Sequence, residues 1–234
     1  FPIWLPNAME APTPVSAFLH SATMVKAGVY LVGRFRPLLV TDEWTLVFGV
    51  LGLATMTVTA VLAVGASDIK ELLAYSTASH LGLIVAGYGM TEYLILNHAL
   101  FKAALFLVAG IVAHEAGTRA IDELGGLAED LPITAGVTVV AALGMAGVPP
   151  FNGFYSKEFL FHAVYETAHH FVAQGGTVLW WALPVVAVLG SVFTFLYSIR
   201  FLMLFFGEKP DELGHVHSPP VSMLAPPALL ATLA

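Results

Sequence analysis

Three lysines and three histidines stand where an apolar chain would be expected to exclude them. Lys26 closes the string His20-Ser21-Ala22-Thr23-Met24-Val25-Lys26, Lys102 closes Asn97-His98-Ala99-Leu100-Phe101-Lys102, and Lys157 precedes Glu158 just after a Pro/Gly-rich turn. A lysine at the centre of a bilayer costs roughly 2.5–3.5 kcal/mol even on the lenient insertion scale, so it persists there only with a partner or a task. Proton transfer is the task that suits it. Burial disfavours a charged ammonium and an approaching carboxylate favours it, so a lysine with a reference pKa of about 10.4 can be brought to about 7 for roughly 4.6 kcal/mol. Histidine needs almost no shift, because its reference value of about 6.5 already lies in the working range.

His98 and Lys102 are four residues apart and share one helix face. His20, His80 and His98 lie within apolar stretches, with hydroxyls at Ser16, Thr23, Ser76 and Ser79 available to hold water. Together they would make a wet polar axis. The competing readings are lysines that snorkel to an interface and histidines that merely bond between helices.

Other chemistries find no support. There is no His-Glu-x-x-His motif, and His169-His170 or His215 and His217 would be adventitious metal binders. No Gly-x-Gly-x-x-Gly turn, Gly-Lys-Ser/Thr loop or Gly-x-Ser-x-Gly elbow occurs, so neither a cofactor nor a catalytic residue is assigned. A formal charge of −7 with no basic cluster argues against nucleic acid. Cysteine is absent, which removes disulfides and thiolate metal sites.

The elements that must position these groups are membrane helices. Of 234 residues, 58% are hydrophobic and only 11% charged, against roughly a quarter charged in a soluble domain. Spans are expected at about Val15–Leu39, Trp44–Gly65, Asp68–Gly89 with Ser67 as N-cap, Thr91–Glu115 and Val178–Phe206. The stretch Ala116–Leu131 reads as a surface loop, and Pro132–Ala168 as one unit broken at Gly147-Val148-Pro149-Pro150-Phe151-Asn152-Gly153. The fold class is therefore all-α, a polytopic transmembrane helical bundle with a discontinuous helix. Lys70, Arg119, Arg200 and Lys209 gather at one set of span ends, which should be cytoplasmic; Arg34, Arg36, Asp42 and Glu43 occupy the other. A start at Phe1-Pro2-Ile3-Trp4 and an apolar run from Val221 that stops at Ala234 lead us to expect an internal piece of a longer protein.

Several strings resemble one family. Trp4-Leu5-Pro6-Asn7-Ala8-Met9-Glu10-Ala11-Pro12-Thr13-Pro14-Val15-Ser16, continuing through Leu19-His20-Ser21-Ala22-Thr23-Met24-Val25-Lys26-Ala27-Gly28, is similar to the antiporter-like subunits shared by respiratory complex I and Mrp-type Na⁺/H⁺ antiporters. So are Asp68-Ile69-Lys70-Glu71-Leu72-Leu73-Ala74-Tyr75-Ser76-Thr77, Asn97-His98-Ala99-Leu100-Phe101-Lys102-Ala103 and Pro150-Phe151-Asn152-Gly153-Phe154-Tyr155-Ser156-Lys157-Glu158. Met24-Val25-Lys26-Ala27-Gly28 and His114-Glu115-Ala116-Gly117-Thr118-Arg119 look most like the large A subunit of Mrp antiporters.

The resemblance implies inverted five-helix repeats. Residues 1–39 would end the first repeat, 40–206 would form the second with its broken helix near 147–153, and 207–234 would be a loop and the start of a further transmembrane helix. It implies that Lys102 is the central lysine, His98 its connecting histidine and Lys157 the broken-helix lysine on the exit side. Lys70 would match a lysine near the cytoplasmic end and His20 the histidine linking the repeats; Lys26, His80 and Glu158 complete the expected pathway, with Pro149, Pro150 and Gly153 making the break. The implied activity is Na⁺ or K⁺ exchange for H⁺ at the plasma membrane, alongside other membrane subunits. The alternatives are a proton-pumping subunit of a quinone oxidoreductase or membrane hydrogenase, or a CO₂- or bicarbonate-uptake partner.

If His98 and Lys102 share their protons as one unit, their effects are non-additive. Replacing either in the complete assembly should lower transport about as much as replacing both, and a double-mutant cycle showing additive losses refutes the unit.

Overall fold

A computed structural model describes residues 4–21, 23–39, 41–87, 91–211, 213–214 and 216–234, with the side chains of 91–95 outside the description. His215, read above as an adventitious metal binder, also lies outside it. The helices are α1 (Trp4–Asn7), α2 (Thr13–Ser21), α3 (Met24–Phe35), α4 (Asp42–Gly65), α5 (Ile69–Ala86) and α6 (Thr91–Glu115). They continue with α7 (Leu127–Asp130), α8 (Pro132–Ala146), α9 (Asn152–Ala173), α10 (Ala182–Phe206) and α11 (Val221–Thr232). No strand occurs among the described residues.

Among the described residues, the segments long and apolar enough to cross a membrane are Thr13–Leu38, Asp42–Gly65, Leu96–Glu115 and Val178–Phe206. The polar helix α5 is instead enclosed by other helices, packing against α3, α4, α6, α9 and α10. Its Leu72, Leu73 and Ala74 are fully buried, and so are its hydroxyls Ser76 and Thr77. Enclosure by protein is what lets a helix with these groups sit at lipid depth.

The most extensive helix contact among the described residues is α4 on α5. A Cβ added at Gly52 would lie 2.6 Å from the Ala86 nitrogen and 2.7 Å from the Gly82 carbonyl oxygen. One added at Gly82 would lie 2.6 Å from both the Gly52 oxygen and the Met56 nitrogen. Backbone meets backbone here, as small residues allow in membrane bundles. Ser79 adds a hydrogen bond across the same seam, from Oγ to the Met56 carbonyl at 2.9 Å.

Three sequence expectations change in detail. The first span is not continuous: α2 ends at Ser21, and Thr23, at φ −120° and ψ −89°, leaves helical geometry before α3 begins. The cap of α5 is Asp68 rather than Ser67, its carboxylate accepting from the amides of Lys70 at 2.6 Å and Glu71 at 3.3 Å. The loop 116–131 is partly internal: Leu127 is fully buried, and Arg119 and Ile121 pair with Ile69 and Ser67 through backbone hydrogen bonds.

Acid–base pairs mark both ends of the helices. Asp68 pairs with Arg119 at 3.2 Å and Asp130 with Lys209 at 2.6 Å at one end, while Asp42 faces His170 at 3.6 Å at the other.

Gly82→Val places a branched side chain into the α4 backbone, an overpacking that typically costs about 1–3 kcal/mol. The thermal midpoint of the purified assembly should fall by several degrees, as read by intrinsic fluorescence; an unchanged midpoint would mean the two helices can separate freely.

Candidate functional site

The break between α8 and α9 is built from small residues and a lysine. Helix α8 ends on Gly147 in the left-handed region at φ +75°, where the Gly147 amide reaches the Gly144 carbonyl at 3.2 Å and the Val148 amide reaches that of Leu143 at 3.1 Å. The exposed prolines Pro149 and Pro150, joined by a cis peptide bond, carry the chain round to Asn152. A Cβ at Gly153 would fall 1.7 Å from the Gly144 carbonyl oxygen, so only glycine lets α9 start against the end of α8. This approach brings Lys157 inward, where its ammonium donates to the Ala146 carbonyl at 2.6 Å. The charge therefore sits on a helix C-terminus, whose free carbonyls and dipole favour a cation.

Lys102, in the middle of α6, is fully buried. It donates to Ser76 Oγ on α5 and approaches Met145 Sδ on α8 at 3.3 Å. His80, one turn beyond Ser76, stands between these helices and α10. Its Nδ1 lies 2.9 Å from the Ser76 carbonyl and 3.1 Å from the Tyr197 hydroxyl, and its Nε2 lies 3.3 Å from the Met145 carbonyl. Carbonyls only accept, so a ring with one N–H satisfies one of them and a ring with two satisfies both. The pocket thus accommodates either protonation state.

The His98 ring centroid is 5.5 Å from that of His80, and neither of its nitrogens has a hydrogen-bond partner among the described residues. Leaving a polar atom buried and unpaired costs about 1–3 kcal/mol, so such nitrogens call for water. A cavity of about 10 Å³ adjoins them, lined by His80, His98, Met145, Ser156 and Lys157 among others. That is about the space one water needs. The charges acting on His98 are those of Lys26, His80 and Lys102, and those acting on His80 are Lys102 and Lys157. Lys26, His98, His80 and Lys157, with Lys102 beside them, are thereby electrostatic neighbours across α3, α6, α5 and α9.

Of the remaining expected residues, His20 also feels the charge of Lys102, while Lys70 and Glu158 fall outside this group. His20 is fully buried with its ring stacked on Phe106 at 5.3 Å, and neither nitrogen is bonded among the described residues. Lys70 lies at the Asp68–Arg119 end and donates to the Ala11 carbonyl at 3.1 Å. Glu158 turns away from Lys157 and is exposed, and no ion pair joins the two among the described residues. Tyr197 and Met145 are partners that the sequence pattern does not single out. A phenol in the largely apolar run of α10 is a usable signal for Tyr197; a methionine in an apolar helix offers none.

Comparison with known proteins follows the same lines. The family described as "NADH:quinone oxidoreductase/Mrp antiporter, TM" matches residues 1–181. The chain is 44% identical to the A subunit of a Na(+)/H(+) antiporter from Bacillus subtilis over 259 residues, covering 100% of this chain and 32% of that protein. It therefore spans about a third of the length of the curated relatives it matches. Among solved structures, the Mrp complex from Dietzia sp. DQ12-45-1b matches with a TM-score of 0.82 and 43% identity over 99% of this chain and 25% of that one. An archaeal respiratory membrane complex, the membrane-bound sulfane sulfur reductase, matches with a TM-score of 0.85 and 30% identity over 100% of this chain and 41% of that one.

A lysine retained for function rather than stability can be replaced by an apolar residue of similar volume without loss of fold. Lys102→Met should leave the thermal midpoint of the assembled protein unchanged or raised; a fall of many degrees would make Lys102 a structural residue.

Proposed function

The chain belongs to the NADH:quinone oxidoreductase/Mrp antiporter transmembrane family, and from that premise we propose that it is part of a proton- and cation-translocating membrane subunit of the Mrp A type. The observation that carries this reading is the buried array of Lys26, His98, His80, Lys102 and Lys157, set among apolar helices with unpaired imidazole nitrogens between the lysines. Protons pass along it through side chains and intervening water, and Na⁺ or K⁺ is the counter-ion. Residues 1–39 close a first repeat and 40–206 form a second. The protein works in the plasma membrane with other membrane subunits, and its Lys70 face is cytoplasmic. Its lysines and histidines transfer protons and catalyse no covalent step.

A second reading has its own support. The likeness to the archaeal respiratory complex is as strong in shape as that to the Mrp complex, so the same array would serve a redox-driven proton pump whose electron carriers sit in partner chains. The two differ in what drives transport: vesicles holding the complete assembly exchange cations for protons without a reductant only in the first case.

Lys157 gives the sharpest test. Moving one charge through the whole membrane potential involves about 2.3 kcal/mol per 100 mV, a modest demand on a group that can gain and lose a proton. Lys157→Ala should abolish dye-monitored cation/proton exchange while leaving assembly intact. Lys157→Arg keeps a positive charge that is not released, because the pKa of a guanidinium stays above about 12. Exchange at the native rate in the Arg variant would remove deprotonation of Lys157 from the mechanism.

A further inference from the structure

Beyond the break, α9 carries Glu158, His162, Glu166 and His170 at successive intervals of four residues, which stacks them as one row along the helix. All four are exposed. Helix α9 has 22 residues, yet it is not among the segments apolar enough to cross a membrane. A row of ionisable groups at that depth belongs against water or protein, never against hydrocarbon. An open cleft of about 680 Å³ lies at its lower end, where Lys157, Glu158 and His162 meet the aromatic side chains of Phe154, Phe161 and Tyr165. Lys157 thus borders both the small cavity beside His80 and His98 and this open cleft. At its upper end the row reaches the membrane face, where His170 Nε2 lies 3.6 Å from Asp42 Oδ1 and 3.0 Å from Gln174 Nε2. The row covers about 18 Å at 1.5 Å per residue.

We infer that the row of Glu158, His162, Glu166 and His170 is the outlet through which protons pass between Lys157 and the membrane face marked by Asp42. Each rung alternates a carboxylate with an imidazole, and each of these groups can accept a proton and pass it on through water. Lys157 is the last buried member of the inner array, and its neighbour Glu158 is the first exposed acceptor. The opposite orientations of these two adjacent residues are then functional, one side chain facing the dry path and the next facing the wet one. This inference rests on the transport reading above and adds the residues through which the path leaves the protein.

The test uses the full-length protein, assembled with its partners in vesicles, at low buffer concentration, with exchange followed by a pH-sensitive dye. His162→Ala and Glu166→Gln should each slow exchange by on the order of a hundredfold, the lower end of what a positioned proton-transfer group contributes. HEPES, a membrane-impermeant buffer, added on the Asp42 face should restore most of the rate, and the same buffer on the Lys70 face should not. Native-rate exchange in both variants overturns the outlet. So does a loss that HEPES restores on neither face or equally on both, including a loss accompanied by release of a partner protein, which would make the row a docking face. If Lys157→Ala abolishes exchange while both row variants run at the native rate, only the outlet falls. If the unaltered assembly exchanges nothing, the transport reading fails and the outlet with it.

Discussion

One hydrogen bond orders much of this structure: the ammonium of Lys157 on the Ala146 carbonyl, 2.6 Å away at the end of α8. A helix that stops inside a membrane leaves carbonyls that neither lipid nor its own backbone can satisfy. A lysine reaching back from the next helix supplies both the donor and the charge that such an end prefers. The bond forms only because Gly153 lets α9 begin against Gly144, and because Gly147 adopts the left-handed conformation that turns the chain. Met145, in the same last turn, offers its sulfur to Lys102 and its carbonyl to His80. The break therefore holds three ionisable groups in place with the backbone and side chains of two consecutive residues.

The placement of α5 follows from the same constraint. Its hydroxyls and His80 can sit at lipid depth only if protein surrounds them, and α3, α4, α6, α9 and α10 do so. Broad exposed apolar surfaces are carried by α4 and α10, whose outward side chains include Val47, Leu51, Val58, Val188, Val192 and Phe195. Helix α5, enclosed by its neighbours, is free to be polar, while α10 serves both roles, exposing Val188 and Val192 and turning Tyr197 inward to His80.

Much of this was legible in the sequence. Lysines and histidines in apolar runs announce themselves, because few residues are so costly in a bilayer. The pair of prolines between two glycines marks where helical bonding must stop. The break at Thr23 was not legible, since Thr-Met-Val-Lys holds neither proline nor glycine to mark it. Ser67 and Asp68 are both good caps, and only the position of the loop at Arg119 and Ile121 decides between them. The opposed directions of Lys157 and Glu158 follow from the helical turn of about 100° per residue, but which one faces inward depends on where α8 ends. The partners of Lys102 and His80 lie on other helices, and periodicity within one helix does not reveal them.

The seam between Gly52 and Gly82 has a mechanical consequence. With backbone atoms of α4 and α5 already in contact, neither helix can slide or tilt against the other without collision. Interiors packed this tightly switch between discrete arrangements rather than deform smoothly. Helix α5, which carries Ser76 and His80, is thereby bolted to α4 as one strut. Any rearrangement around these two residues shifts α6, α8 or α9, which bring Lys102, Met145 and Lys157 to them, against a pair of helices that stays fixed within itself.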